Sequence, residues 1–267
     1  MKISKRLTVH DLLVLRGERQ LSMLRVETLD EAEAAERAGI DLVSVPPVLM
    51  LDPNFRDAAP TVFAVPGANF YEIGTTDDFV RWAFRLVRAS ADAVYCAAGT
   101  STIARLAADG IPVCGHVGLI PSKATWTGGF KAVGKTLESA QHVWQQVKAL
   151  EGAGAFAAEI EVVPDLIATE ITRRSTLFMI SMGAGAGCDA QYLFSDDVLG
   201  ANTGHVPRHA KVYRNFAAER ARLQDERIAA YGEFAQDVRS GAYPEKSNTV
   251  AGDEDTLRRF QSWIDGV

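Results

Sequence analysis

Cysteine is scarce in this chain. Cys96, Cys114 and Cys188 are its three thiols. Their odd number and wide spacing exclude a disulfide framework, and without a CxxC pair they offer no zinc ribbon or thioredoxin-like redox site. A reducing cytoplasm is the expected compartment. Long hydrophobic runs are missing too, so no membrane span is expected. The opening MKISKRLTVHDLLVL lacks the apolar core and cleavage site of a secretory signal. Basic charge is not in excess. With 28 Lys and Arg against 34 Asp and Glu the net charge is -6, which argues against nucleic acid or an anionic membrane as partner. Low-complexity tracts, heptads and short repeats are absent as well. What remains is an ordinary globular composition, 47% apolar and 23% charged over 267 residues, enough for one large domain with a full core.

Short β-branched runs alternate with amphipathic helices. Strands are predicted at Gln20–Val26, Asp41–Val45, Thr61–Val65, Ala93–Cys96, Ile111–Val117, Phe156–Glu161 and Leu177–Ser181, with a weak eighth around Asp197–Leu199. Helices fall at Thr28–Ala38, Asp77–Arg88, Thr100–Ala108 and Leu137–Leu150, with another beginning at Pro164. Eight strands, most followed by a helix, predict a (β/α)₈ barrel as a single domain over 1–267, with a helical extension from about residue 210. The alternative is an open doubly wound sheet using Gly183–Gly187 (GAGAG) as a dinucleotide loop. That fingerprint belongs in the first βα unit, however, and here it follows the seventh strand. In a barrel the same glycines form either a phosphate- or carboxylate-binding turn or a plain tight turn.

Barrel chemistry lives at the carboxyl ends of the strands. The stretch IPVCGHVGLIPSKATWTGGFKAVGKT, Ile111–Thr136, ends a strand in His116 and passes into a long loop rich in Gly and Lys, which suggests a mobile cover over Ser122–Lys135. Lys131 and Trp126 are its expected ligand contacts. His116 is either a functional group or a satisfied core histidine. On the next strand, alternation puts Glu159 and Glu161 on one side and Ile160 on the other. A carboxylate at that depth needs a function or a partner. The cysteines read more readily as small core residues than as nucleophiles.

The chain resembles the ketopantoate hydroxymethyltransferase family. PVCGHVGLIP, GGFK, EVVPDLIATEIT, GAGAGCDAQ, DDVLGANTGHVPRHAKVYRNF and SGAYP carry the resemblance, which spans roughly Gly39–Tyr243. It implies a barrel of the phosphoenolpyruvate/pyruvate-like superfamily and an assembly of stacked pentamers into a decamer. It also implies magnesium, methylene-tetrahydrofolate as one-carbon donor, and abstraction of a proton beside the carbonyl of a 2-oxo acid. Glu161 falls on the proposed base and His116 on the family histidine. Tyr95, Cys96, Asn69, Lys131, Gly183 and Gly185 are the substrate-binding candidates.

The first half departs from the family pattern. Pro47 and Val48 stand where an aspartate and serine are expected, and Gly67 replaces a second aspartate. Tyr95 and Ala97 replace a lysine and glutamate. No metal ligands are assigned, because these side chains, Tyr95 apart, offer a hard cation no donor atom. Asp52, Asp57 and Glu72 lie nearby in sequence for a relocated site. Three readings follow: an enolate-forming enzyme with a changed substrate and no magnesium, an orthodox family enzyme with its metal elsewhere, and a silent homologue serving in binding or assembly.

Overall fold

The computed structural model describes residues 5–68 and 72–267. In chain order the elements are α1 Val9–Val14, β1 Leu21–Arg25, α2 Leu29–Ala38, β2 Leu42–Val45, α3 Pro47–Met50, α4 Phe55–Ala58, β3 Phe63–Pro66, α5 Thr76–Arg88 and β4 Val94–Tyr95. There follow α6 Thr100–Ala108, β5 Val113–Gly118, α7 Ala124–Thr127, α8 Leu137–Gly152, β6 Ala157–Glu161, α9 Asp165–Arg174, β7 Phe178–Met182, β8 Ala190–Phe194 and α10 Ser195–Leu199. All strands are parallel, in the order β3-β2-β1-β8-β7-β6-β5-β4. β3 and β4 meet at a seam that nearly closes the barrel. There the amides of Asp92 and Ala93 donate to Ala64 O (3.1 and 3.4 Å). The Asp92 carboxylate accepts from Ala64 N and from Arg56 Nη2, both at 2.8 Å.

Alternation sorts the side chains into two cores. Leu21, Met23, Leu42, Phe63, Cys114, Ala157, Phe178, Ile180 and Tyr192 fill the barrel interior. Val43, Val45, Val94, Val113, Ala158, Ile160 and Met179 face the helices. Leu12 of α1 is fully buried in the inner core, and Thr8 with Asp11 forms the capping box that starts this helix. The interior is therefore packed, and its open space lies at the carboxyl ends.

Two expectations are corrected. The eighth strand is Ala190–Phe194, and Asp197–Leu199 belongs to α10. Ala190, Tyr192 and Phe194 share one side of that strand, a period-2 signal interrupted by the polar Gln191. The stretch expected as a long loop carries a 3₁₀ turn over Pro121–Lys123 and the helical turn α7, ended by Gly128 at φ +74°. Val133 N, further along, donates to Val162 O at 3.1 Å.

The compact unit containing the barrel runs to Arg214, and a second unit spans Asn215–Val267. The latter consists of α11 Phe216–Ser240, a 3₁₀ turn over Lys246–Asn248 and α12 Glu254–Ile264. Asn215 caps α11 by accepting from Ala218 N, and Phe234 meets Tyr243 edge-on at 5.4 Å.

Candidate active site

A cavity of about 320 Å³ opens at the carboxyl ends of the strands. Arg25 and Glu27 reach it from the end of β1 and just beyond, Ser44 from β2, and Gly67 and Ala68 from after β3. Tyr95 enters from β4, His116 from β5, Glu159 and Glu161 from β6, Met182 from β7, and Tyr192 and Phe194 from β8, with Pro121 above. Each strand delivers its group by the same alternation that fills the core beneath. Arg25 follows Leu21 and Met23 on β1, and His116 follows Cys114 on β5.

His116 is the hub. Its Nε2 lies 2.9 Å from Leu119 O and 3.1 Å from Glu161 Oε2. Its Nδ1 lies 2.7 Å from Tyr95 Oη and 3.4 Å from Glu159 Oε2. A backbone carbonyl only accepts, so Nε2 carries a proton in either charge state of the ring. Burial disfavours the imidazolium, but the Glu161 hydrogen bond and the charges of Glu159 and Glu161 outweigh it and raise the His116 pKa. Burial pushes the Glu159 carboxyl up to about 7. His116 and Arg25 pull it down, while the Glu161 charge adds to the rise. Burial first, and then Glu159, hold the Tyr95 phenol well above its ordinary value.

Across the mouth, Arg25 Nη1 donates to Ser44 Oγ at 3.2 Å and Nε to Glu27 Oε1 at 2.6 Å. β1 and β5 stand four strands apart in the eight-strand ring, so Arg25 faces the His116 side. The Arg25 side chain is 14% exposed, and Glu27 is 51% exposed.

Backbone geometry brings Glu161 to His116. Gly118 ends β5 at φ +82°, where a Cβ would meet Glu161 O at 2.5 Å and Val163 Cγ2 at 2.6 Å. Val162, directly after Glu161, has φ +47°, a conformation β-branched residues rarely adopt. Its amide donates to Met182 O at 2.9 Å, and its carbonyl accepts from Val133 N.

Of the residues expected from sequence, the cavity unites His116, Glu161 and Tyr95. Cys96 is fully buried in the outer core, and burial lifts its thiol to about 11. Lys131 is exposed, with its ammonium over Gly128. Gly183 packs under His209 and Gly185 against Asp165, outside the lining. The carbonyl of Gly185 accepts from Ser181 Oγ and Gln191 Nε2, both at 2.9 Å, which ties GAGAG into a tight turn. Asn69 lies outside the described residues.

At the family's metal positions, Pro47 begins α3 and Val48 is 77% exposed. Tyr95 packs so closely on Gly67 that a Cβ there would lie 3.1 Å from its ring. The Ala97 side chain has no donor atom. Asp52 is bonded to Asn54, and Asp57 lines a different cavity with Lys5 and Arg19. Among the described residues no group of three or more His, Cys, Asp or Glu side chains is arranged to hold a metal ion.

Comparison with known proteins places this geometry in a family. The ketopantoate hydroxymethyltransferase family model matches residues 57–246. A 3-methyl-2-oxobutanoate hydroxymethyltransferase of Kosmotoga olearia is 30% identical over 265 residues, covering 91% of this chain and 97% of the relative. This chain belongs to the ketopantoate hydroxymethyltransferase family. A further relative of the same name, from Cenarchaeum symbiosum, is 38% identical over 190 residues, covering 69% of this chain and 70% of its own length.

Solved structures agree on the fold of this family member. A putative phosphonomutase from Burkholderia cenocepacia J2315 has a TM-score of 0.57 at 13% identity, covering 73% of this chain and 94% of its own. The phosphoenolpyruvate phosphomutase from Streptomyces platensis subsp. rosaceus has a TM-score of 0.51 at 14% identity, covering 97% and 96%. A 2,3-dimethylmalate lyase of the PEP mutase/isocitrate lyase superfamily has 0.51 at 13%, covering 91% and 89%. Among the described residues no helix is long and apolar enough to cross a membrane.

Arg25, Glu27, Ser44, Glu159, Tyr192 and Phe194 join the site without being among the sequence candidates. Parity was the available signal. Arg25 shares the inward side of β1 with Leu21 and Met23, and Glu159 shares that of β6 with Glu161.

Proposed function

We propose that this protein removes the proton beside the carbonyl of a small 2-oxo acid and makes or breaks a carbon–carbon bond at that carbon, with Glu161 as base and without magnesium. The observation that carries the proposal is the placement of Glu161 Oε2, 3.1 Å from His116 Nε2, in a cavity that also exposes Arg25 to a ligand. The Arg25 guanidinium and Ser44 hydroxyl receive the carboxylate by charge-assisted hydrogen bonds. Met182, Phe194, Pro121 and Ala68 supply apolar surface for the hydrocarbon end. Glu161 then faces the carbon between them, where a carboxylate acts as a general base. The relatives' names supply the second reactant, a one-carbon donor for hydroxymethyl transfer.

The donor set supports the metal-free reading. Pro47, Val48, Gly67 and Ala97 give no side-chain oxygen, and the Tyr95 hydroxyl is engaged with His116. Magnesium keeps near-octahedral oxygen coordination and gives up water reluctantly, so this set does not fit it.

The test is exchange of the C3 proton of 3-methyl-2-oxobutanoate in D₂O, followed by proton NMR. The wild type is expected to exchange it, and Glu161→Gln, which keeps shape and removes basicity, to lose exchange while still binding the acid. Undiminished exchange in Glu161→Gln would refute the assignment of the base.

A further inference from the structure

Proton abstraction by Glu161 needs one carboxylate, yet the cavity holds a second on the same strand, with a histidine between them. His116 Nε2 is committed to Leu119 O and Glu161, so the proton that comes and goes is the one on Nδ1. Nδ1 faces Tyr95 Oη at 2.7 Å and Glu159 Oε2 at 3.4 Å. When Nδ1 is bare, the Tyr95 hydroxyl donates into the ring and is unavailable to a ligand. When Nδ1 is protonated, the ring donates to Tyr95 Oη and the phenolic hydrogen turns away from it. Tyr95 lines the cavity, so the hydrogen is then free to be donated to a ligand there. The charge state of one ring nitrogen sets the direction of one hydroxyl.

Glu159 is the group placed to fix that charge state. It is 6% exposed and His116 is 2% exposed, so water does little to screen the pair. Around His116 stand Tyr95 from β4, Cys114 on its own β5, and Glu159 and Glu161 from β6. Glu159 also acts on Tyr192 of β8 and feels Arg25 of β1. Arg25 is the one fixed cation in this set, across the mouth. We infer that Glu159 is a positioning residue that keeps His116 Nδ1 protonated, and so aims the Tyr95 hydroxyl at the enolate oxygen as the donor that takes up its charge. The inference rests on the enolate reading above and supplies the stabilisation that reading leaves open.

The step balances. Glu161 takes the proton from carbon, and the C–H electron pair becomes the C=C bond as the carbonyl π pair moves onto oxygen. Tyr95 O–H donates to that oxygen. If its proton crosses, His116 Nδ1–H refills the phenol. New bond formation at carbon reverses both shifts, so this donor chain gains and loses no proton. A preorganised donor in a buried site is effective because it need not reorganise as charge develops.

Oxalate, a planar dianion shaped like the enolate of a 2-oxo acid, is the probe. Its affinity is measured by calorimetry at about pH 6 and about pH 7.5 for wild type, Tyr95→Phe and Glu159→Gln, with ¹⁵N-histidine NMR reporting Nδ1 protonation. Tyr95→Phe is expected to weaken oxalate about tenfold or more at both pH values. Glu159→Gln should lower the pH at which Nδ1 loses its proton and weaken oxalate at the higher pH, with recovery at the lower, where the ring is protonated without help. Variants within about threefold of wild type at the higher pH, or a Glu159→Gln loss that does not recover at the lower, would overturn the inference. The expected pattern in a protein that exchanges no C3 proton would remove the enolate reading and leave the donor assignment standing.

Discussion

Arg25→Met is the substitution whose size follows most directly from the site. It keeps much of the apolar stem and removes the guanidinium. A hydrogen bond to a charged group contributes roughly 1.5–3 kcal/mol, so two from Arg25 to a carboxylate would give roughly 3–6 kcal/mol. Part of this is offset, because the guanidinium already donates to Glu27 and Ser44 and gives up some of that bonding when ligand enters. Glu27 is half exposed and regains water, so the offset is partial. A net loss of about 2–3 kcal/mol corresponds to a rise in KM of very roughly a hundredfold. The maximal rate should change less, since Glu161 and His116 keep their contacts. Proton exchange measured across a range of 3-methyl-2-oxobutanoate concentrations gives both parameters. 3-Methyl-2-butanone, which lacks the carboxylate, is the control and should exchange equally with both proteins. A KM within about threefold of wild type, or equal losses with acid and ketone, would refute the role assigned to Arg25.

The remaining expectations concern backbone, pH and the segment above the cavity. Gly118→Ala places a methyl 2.5 Å from Glu161 O at a positive φ, which should cost about 2 kcal/mol or more and slow exchange by displacing Glu161. An unchanged calorimetric melt would contradict this. Glu159 is raised from 4.5 to about 7, so the native state holds its proton more tightly and stability falls as pH rises through that window. His116 is raised above 6.5, and its contribution, present below that value, is also lost as pH rises through the folded pKa. Both act in one direction, so Tm should be lower at pH 8 than at pH 5 on this account, and Glu159→Gln should flatten the difference. A slope unaffected by that variant would count against the buried proton. Trp126 is 90% exposed, so Trp126→Ala should leave Tm unchanged and raise the KM if α7 closes on ligand. An unaltered KM would remove α7 from the binding surface.

The barrel was legible because its strands obey one simple pattern. β-branched runs such as Leu42–Val45 are buried on both faces and bounded by turns, and a parallel sheet needs such runs. Pairing Glu159 with Glu161 needed only the alternation along β6. The eighth strand escapes notice because Ala190–Phe194 contains no β-branched residue and starts with the small Ala190. Tyr192 and Phe194 were lost with it. Arg25 was hidden for another reason. An arginine at a strand end ordinarily faces solvent, and only the closed ring of strands turns its side inward. The long loop after His116 looked structureless from its glycines. Gly128 in fact terminates a helical turn, and a hydrogen bond to Val162, just after β6, ties Val133 down.

The most direct test of the central claim is the rate of C3 proton exchange of 3-methyl-2-oxobutanoate in D₂O, measured with EDTA and again with added magnesium. Glu161 acting beside His116 and Tyr95, opposite Arg25, predicts the same Glu161-dependent exchange in both. Exchange abolished by EDTA and restored by magnesium would contradict the account and require oxygen ligands from residues other than those assigned here.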